Sequence, residues 1–210
     1  MIMNDIQSRK TLHKEKVIRV ALDFFSTFGI ENSKVSDIAT KANLTERTVF
    51  RYFATKNDLV LATALFFWNS TSSRINKLIE EEQNKSLKGI NKVRFILNQY
   101  AGLYDSSKKE LIFCDEAETY LSRCGKSTLL SNRPPIDFYK SNEPLAKAIK
   151  DGILDKSIND NKDIGLIYLN TYDGLLGFMQ KLALSEELSK EEDARRRLNL
   201  FIDSLIKMYI

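Results

Sequence analysis

Apolar residues recur every three or four positions along almost the whole chain, which is the spacing of amphipathic helices and not the alternation of strands. Val17, Ile18, Ala21, Leu22, Phe25 and Phe28 line one face of a first long helix. Gly29 follows at the place where a helix commonly ends on a residue of positive φ. A short helix is expected over Val35 to Lys41, with Ile38 and Ala39 inward. Thr45 is suited to N-cap a second short helix that runs through Phe53. Lys56 opens a long helix to about Glu82, with the stripe Leu59, Leu61, Ala62, Leu65, Phe66, Trp68, Ile75, Leu78 and Ile79.

The same period continues through Leu87, Ile90, Val93, Leu97, Tyr100, Ala101 and Tyr104, and then through Phe113, Ala117, Tyr120, Leu121 and Cys124. Gly125 to Asn142 is the least regular stretch and holds Ser127, Ser131, Asn132, Pro134 and Pro135, so it reads as a loop with a broken helix. Leu145, Ile149, Ile153 and Leu154 mark another helix. Ile164 to Leu184 is apolar on most sides, the pattern of a central or interface helix. A last helix carries Leu198, Phe201, Ile202, Leu205, Ile206 and Tyr209 on one face. The chain therefore reads as all-α, with about nine helices.

Composition narrows this picture. Of 210 residues 43% are hydrophobic and 29% charged, a globular balance. Gly and Pro together number 11, too few for the turns of an all-β chain. No apolar run approaches the ~18 residues of a membrane span. Met1 to Lys16 is polar and charged, unlike a secretory leader, so a cytoplasmic location and no membrane partner are expected. The two cysteines stand ten apart and suggest neither a zinc site nor a disulfide framework. The net charge of +4 permits a polyanionic partner. Its placement is more telling, because residues 1–60 carry an excess of +3 and residues 61–210 only +1.

The informative stretch is Ser33 to Lys56. Two short helices are separated by Ala42, Asn43 and Leu44, the layout of a helix-turn-helix unit whose second helix enters the DNA major groove. Ile38, Ala39, Leu44 and Val49 pack inward, and Ala39 is small where the helices approach. Asn43 tolerates the left-handed conformation that such a turn needs. Glu46, Arg47, Thr48 and Arg51 face outward. Arg47 is the best candidate to read a guanine, since its fork matches O6 and N7. Glu46 accepts from cytosine N4 or orients Arg47. Thr45 and Thr48 suit phosphate or base-edge hydrogen bonds, and Phe50 packs beside the backbone or on a thymine methyl. Ser36 touches phosphate or simply caps its helix. Arg51 and Lys41 are either solvated charge or DNA contacts.

The first sixty residues resemble the N-terminal domain of the TetR/AcrR-like family of bacterial transcriptional regulators. The resemblance rests on Ala21, Phe24, Phe25 and Gly29, on the pair Ile38-Ala39, and on Phe50-Arg51-Tyr52-Phe53-Ala54-Thr55-Lys56 followed by Leu59. It covers about a quarter of the chain. Asn43 stands where the family usually has glycine, and Glu46-Arg47 replaces what is often a Lys or Ser followed by a small residue. The second departure touches base readout, so no operator sequence carries over. The resemblance implies that Tyr52 and Lys56 contact phosphate, and Lys56 also lies near a helix N-terminus that attracts such groups. Without it, Tyr52 reads equally as core.

The resemblance also implies a division into a DNA-binding domain, 1–60, and an effector-binding and dimerisation domain, 61–210. In such a domain the last two helices of each protomer form a four-helix bundle across a two-fold axis, here about 162–184 and 190–209. Gly174, Gly177, Leu198, Phe201, Ile202 and Leu205 are the interface candidates. Each glycine costs about 1 kcal/mol in a helix interior, which a close helix crossing offsets; a local kink is the other reading. An effector pocket is expected among Trp68, Tyr100, Tyr104, Cys114, Glu118, Tyr120, Tyr172, Asp173 and Met179. Aromatic walls with a buried carboxylate suit a lipophilic cation. Each aromatic reads more readily as plain core than as pocket wall, Glu118 reads as pocket or exposed surface, and Asp173 serves the pocket or pairs across a dimer.

Enzymatic constellations are missing from the sequence. His13 is the sole histidine and sits in a polar stretch. There is no phosphate-binding glycine loop, nucleophile elbow or zinc spacing, and no cofactor is expected. The reading is a homodimeric transcriptional regulator, expected to act as a repressor, that binds a palindromic double-stranded DNA operator until a small-molecule effector releases it. The alternative is an all-α ligand-sensing or carrier protein without specific DNA binding.

Overall fold

A computed structural model of the protein describes residues 2–81, 86–126, 137–185 and 191–210. Among these residues there are nine helices and one single helical turn, and no strand. The helices are α1 (Ile2–Phe28), α2 (Val35–Lys41), α3 (Glu46–Tyr52), α4 (Lys56–Glu80), α5 (Gly89–Ala101), α6 (Lys108–Arg123), α7 (Pro144–Leu154), α8 (Ile164–Leu184) and α9 (Glu191–Tyr209). The turn, Leu103–Ser106, lies between α5 and α6. None of the helices is long and apolar enough to cross a membrane. The expected loop around Ser127, Ser131, Asn132, Pro134 and Pro135 lies outside the described residues.

The chain forms two compact units, one of Met1–Asn69 with Ile112–Leu130 and one of Ser70–Leu111 with Ser131–Ile210. In the first, α1 buries Val17, Ala21 and Phe25, and Phe25 stacks on Phe113 of α6 with ring centroids 5.6 Å apart. Phe28 was expected on this face but is 55% exposed, with its ring edge-on to Phe24. It sits in the last turn, where the helix stops at Gly29 with φ +78°. The Gly29 N–H donates to the Phe25 carbonyl at 3.0 Å. The next donor, Ile30 N–H, is taken by Glu116 Oε1 at 2.8 Å.

Helix α4 opens on a reciprocal cap. Thr55 N–H and hydroxyl donate to Asp58 Oδ2 at 2.9 and 2.7 Å, and Asp58 N–H donates to Thr55 Oγ1 at 3.2 Å. The second carboxylate oxygen takes Lys126 Nζ at 2.6 Å. Tyr120 donates its hydroxyl to Asn57 Oδ1 at 2.8 Å. The buried face of α4 comprises Leu59, Val60, Thr63, Ala64, Phe67, Thr71 and Ile75. Only Leu59 and Ile75 of the expected stripe are fully covered; the rest of it is half-buried. The buried face also holds Val60, Ala64 and Phe67, which the expected stripe leaves out, and two threonines. Thr63 gives its hydroxyl to the Leu59 carbonyl at 2.7 Å and so buries as an apolar residue would.

In the second unit α5 packs against α7, α8 and α9, and α8 packs against α9. An Arg94–Asp203 ion pair joins α5 to α9. Pro144 begins α7 in the first-turn position, where its missing N–H costs nothing. Helix α9 turns Leu198, Ile202, Leu205, Ile206 and Tyr209 into its own protomer. The apolar face expected at a dimer interface is therefore occupied by the chain's own core. An amphipathic stripe says that a face is buried, and it does not say in whose core. Gly174 is likewise explained within the protomer. A Cβ there would stand 3.1 Å from Phe201 Cζ, and Phe201 packs on Phe178 with centroids 5.0 Å apart.

Candidate nucleic-acid interface

The turn between α2 and α3 is built from backbone chemistry. Asn43 adopts φ +58°, as expected of its position. Its N–H donates to the Thr40 carbonyl at 3.0 Å, and Leu44 N–H donates to the Ala39 carbonyl at 2.9 Å. This crossed pair closes the end of α2 and satisfies two orphan carbonyls. Thr45 then caps α3, its hydroxyl oxygen taking the Thr48 N–H at 3.3 Å. Ile38, Ala39 and Val49 are buried between the helices, and Leu44 is half-buried. The seven-residue α3 is thus fixed from both ends and from below.

What remains free on α3 is polar or aromatic. Glu46, Arg47, Phe50 and Arg51 are exposed. No ion pair or hydrogen bond among the described residues engages the Glu46 or Arg47 side chain. Thr45 and Thr48 hydroxyls lie 2.9 Å apart and bond each other. Arg51 lies over the Tyr52 ring, 5.6 Å from its centroid, and the Tyr52 hydroxyl stands 3.5 Å from His13 Nδ1. Tyr52 is half-buried, between the core and surface readings. Lys56 Nζ reaches the Glu31 carbonyl at 3.4 Å, a long bond that leaves its charge at the surface. Ser36 is half-buried and does not cap α2, since the capping position is Lys34. Its hydroxyl is 3.4 Å from Asp37 Oδ1. His13 lies in a polar stretch of sequence, and nothing in the linear pattern links it to Tyr52.

The expected pocket residues are divided between the two units. Trp68, Cys114, Glu118 and Tyr120 belong to the first unit, and Tyr100, Tyr104, Tyr172, Asp173 and Met179 to the second. Trp68 is half-buried with its ring edge-on to Phe67, and Cys114 is buried. Glu118 and Asp173 are exposed, so neither supplies the buried carboxylate that a lipophilic cation asks for. Tyr104 is buried beneath Lys108, and Met179 is fully buried.

The structure does join Tyr100 to Tyr172, whose hydroxyls are 3.1 Å apart. Tyr172 donates to Glu143 Oε2 at 2.7 Å, and Tyr168 stands beside it with its hydroxyl 3.2 Å from Ser141 Oγ. Burial, reinforced by Glu143, pushes the Tyr100 hydroxyl up to about 12. Burial raises Tyr168 and Tyr172 as well. Ser141 lies within the irregular stretch and Glu143 just after it, where no periodicity marks an inward face. Among the described residues no cluster of His, Cys, Asp and Glu is placed to hold a metal ion.

A rigid, outward-facing second helix of a helix-turn-helix, followed by a helical C-terminal region, defines a DNA-binding transcriptional regulator. Residues 17–63 match the model for bacterial regulatory proteins of the tetR family. Curated protein sequences contain no significant match to it. Among solved structures, the chain is similar to the transcriptional regulator FadR from Bacillus subtilis in complex with stearoyl-CoA. That likeness has a TM-score of 0.69 at 16% identity over 91% of this chain and 97% of the other. A tetR-family regulatory protein from Rhodococcus RHA1 gives 0.62 at 13% identity over 94% and 96%. RolR in complex with resorcinol gives 0.61 at 15% identity over 97% and 90%. At these identities the structures share the fold and no more.

Proposed function

We propose that the chain acts as a homodimeric repressor, held on a palindromic operator until a small-molecule effector releases it. Residues 1–60 serve as the DNA-binding domain and 61–210 as the effector-binding and dimerisation domain. The observation that carries the reading is the α3 surface: Arg47 stands exposed, with no ion-pair or hydrogen-bond partner among the described residues, on a helix capped by Thr45 and packed on a buried Val49. An unpaired guanidinium on a recognition helix is free to fork onto guanine O6 and N7. Glu46, Thr45 and Thr48 flank it for base-edge or phosphate contacts. Phe50 lies beside the backbone or on a thymine methyl. Ser36, Arg51, Tyr52 and Lys56 ring the helix as phosphate contacts that position it without reading sequence. Two such helices, one per protomer, suit half-sites ~34–36 Å apart.

Release follows if the effector prefers a conformation in which the paired recognition helices are wrongly spaced, because it then draws the population off DNA. The joined hydroxyls of Tyr100 and Tyr172 with Glu143 are the polar groups of the C-terminal domain best placed to recognise it. Solved structures of similar fold hold stearoyl-CoA in one case and resorcinol in another, so the fold itself selects no ligand class. The test is a gel shift on DNA upstream of the protein's own gene, with footprinting of the shifted complex. A two-fold symmetric footprint bound by two protomers is expected. Retardation no stronger than that of unrelated DNA contradicts the proposal.

A further inference from the structure

The chain holds one histidine, His13, and the fold sets it beside the last residue of α3. Helix α1 packs against α2 and α3, with Val17 fully buried one turn after His13. Lys14 Nζ lies 5.4 Å from the centroid of the Phe53 ring, just past the end of α3. His13 itself is exposed, and its Nδ1 stands 3.5 Å from the Tyr52 hydroxyl. That distance is the limit of a hydrogen bond, so the contact is loose enough to be exchanged. The ring has no other hydrogen-bond or ion-pair partner among the described residues. Its charged neighbours are mostly cations: Arg51 of α3 lies over the Tyr52 ring, and Arg9, Lys10, Lys14 and Lys16 stand within four positions on α1. Glu15, the one carboxylate as near in sequence, is ion-paired to Arg19 at 2.6 Å.

We infer that His13 is a proton-controlled contact to the DNA phosphate backbone, acting together with the Tyr52 hydroxyl. The inference rests on the DNA-binding reading above and adds its regulation by pH. Histidine is the side chain type whose charge changes between pH 5 and 8. A neutral ring with its hydrogen on Nε2 accepts the Tyr52 hydroxyl hydrogen at Nδ1, and so competes with phosphate for it. A protonated ring donates from both nitrogens. Its Nδ1–H then goes to the Tyr52 oxygen, and the hydroxyl hydrogen is released to a phosphate oxygen. Nε2–H becomes a second, charged donor beside it, and hydrogen bonds from a charged donor to phosphate are the stronger kind. Protonation thus turns a self-satisfied pair into a hydroxyl and a cation that both face an anion. Phosphate contacts position a protein on the duplex without reading its sequence, so the proton sets the grip and leaves the target unchanged.

The test is the affinity of the full chain for DNA from upstream of its own gene and for a shuffled duplex, at about pH 6 and about pH 8, either side of the ordinary histidine range. Ionic strength is matched, and far-UV circular dichroism confirms that each variant is folded at both pH values. Wild type should bind both duplexes about two- to fivefold more tightly at the lower pH, the worth of one exposed ion pair. Its salt dependence there should steepen by about 0.9, the slope of one further neutralised phosphate. His13→Gln keeps a hydrogen-bonding group without a titrating one and should bind equally at the two pH values. His13→Arg carries a permanent charge and should hold the tighter grip at both. A wild-type affinity that does not change with pH, or a difference that His13→Gln retains, overturns the inference; a continued preference for the native duplex then leaves the DNA-binding reading standing. Wild type that binds native and shuffled duplexes alike at both pH values overturns both.

Discussion

The two compact units use their polar side chains in opposite ways. In the first, Glu46, Arg47 and Arg51 stand exposed on the helix, Glu46 and Arg47 with no ion-pair or hydrogen-bond partner among the described residues. The turn beneath them is closed by the Asn43 and Leu44 N–H bonds to the Thr40 and Ala39 carbonyls. In the second, the tyrosines and Glu143 are drawn inward and bond one another. A DNA reader needs rigid placement of groups that have no partner until DNA arrives. A core that recognises a small molecule must keep its polar groups satisfied while it waits, since an unpaired buried hydroxyl costs about 1–3 kcal/mol.

This contrast can be attacked at several points. The largest effect is expected where the reader's scaffold is cut. Ile38→Ala removes a fully buried side chain between α2 and α3 and should cost about 2–4 kcal/mol in denaturant unfolding. DNA binding should fall with it. A substitution on the outward face, by contrast, should leave stability within about 0.5 kcal/mol. If Ile38→Ala were as mild as a surface change, the rigid-scaffold side of the comparison would fail. In the second unit, Tyr172→Phe strips the hydroxyl shared by Tyr100 and Glu143 and should cost about 1–2 kcal/mol. An unchanged unfolding midpoint would mean that the network is not a satisfied core.

The turn gives a smaller and signed effect. Asn43→Val forces a β-branched residue to φ +58° and should destabilise by about 1–2 kcal/mol. Asn43→Gly should stay within about 0.5 kcal/mol of wild type by the same measurement, since glycine accepts that conformation freely. Equal costs for the two would show that the left-handed turn is not what Asn43 supplies.

The smallest effects separate the units by pH. Lys126 first, then Thr55, hold the Asp58 carboxyl below its ordinary 3.8. A depressed carboxyl stabilises the fold above its unfolded value and loses that contribution as pH falls through the folded one. The stability gap between wild type and Asp58→Asn should therefore be present at neutral pH and close below about 3.8. The buried tyrosines act from the other side. Tyr100 is raised from 10.0 to about 12, so its stabilisation is full below 10 and is lost as pH climbs through the folded value. Ultraviolet titration should show Tyr100 ionising only near pH 12 or on unfolding.

The sequence made the first unit easier to read than the second for a physical reason. Capping at Thr45, the left-handed turn at Asn43 and the stop at Gly29 are decided within a few residues of each other, so linear spacing reports them. The limits of α2 and α8 were legible in the same way. Which apolar face meets which neighbour is decided by tertiary packing. That is why Thr63 and Thr71 were read out of the core of α4, and why Leu198, Ile202 and Leu205 were read out of their own protomer. Asp173 shows the same limit: a carboxylate among apolar neighbours in sequence need not be buried in space.

The most direct test of the central claim, that the exposed face of α3 reads DNA, is fluorescence anisotropy on DNA from upstream of the protein's own gene. A shuffled duplex serves as reference, over a series of salt concentrations. Wild type should prefer the native sequence. Arg47→Ala should lose about 1–3 kcal/mol on the native duplex and much of that preference. Lys56→Ala should weaken both duplexes alike and lower the salt slope by about 1. Equal affinity of wild type for the two duplexes, or an Arg47→Ala variant with unchanged preference, would contradict the account.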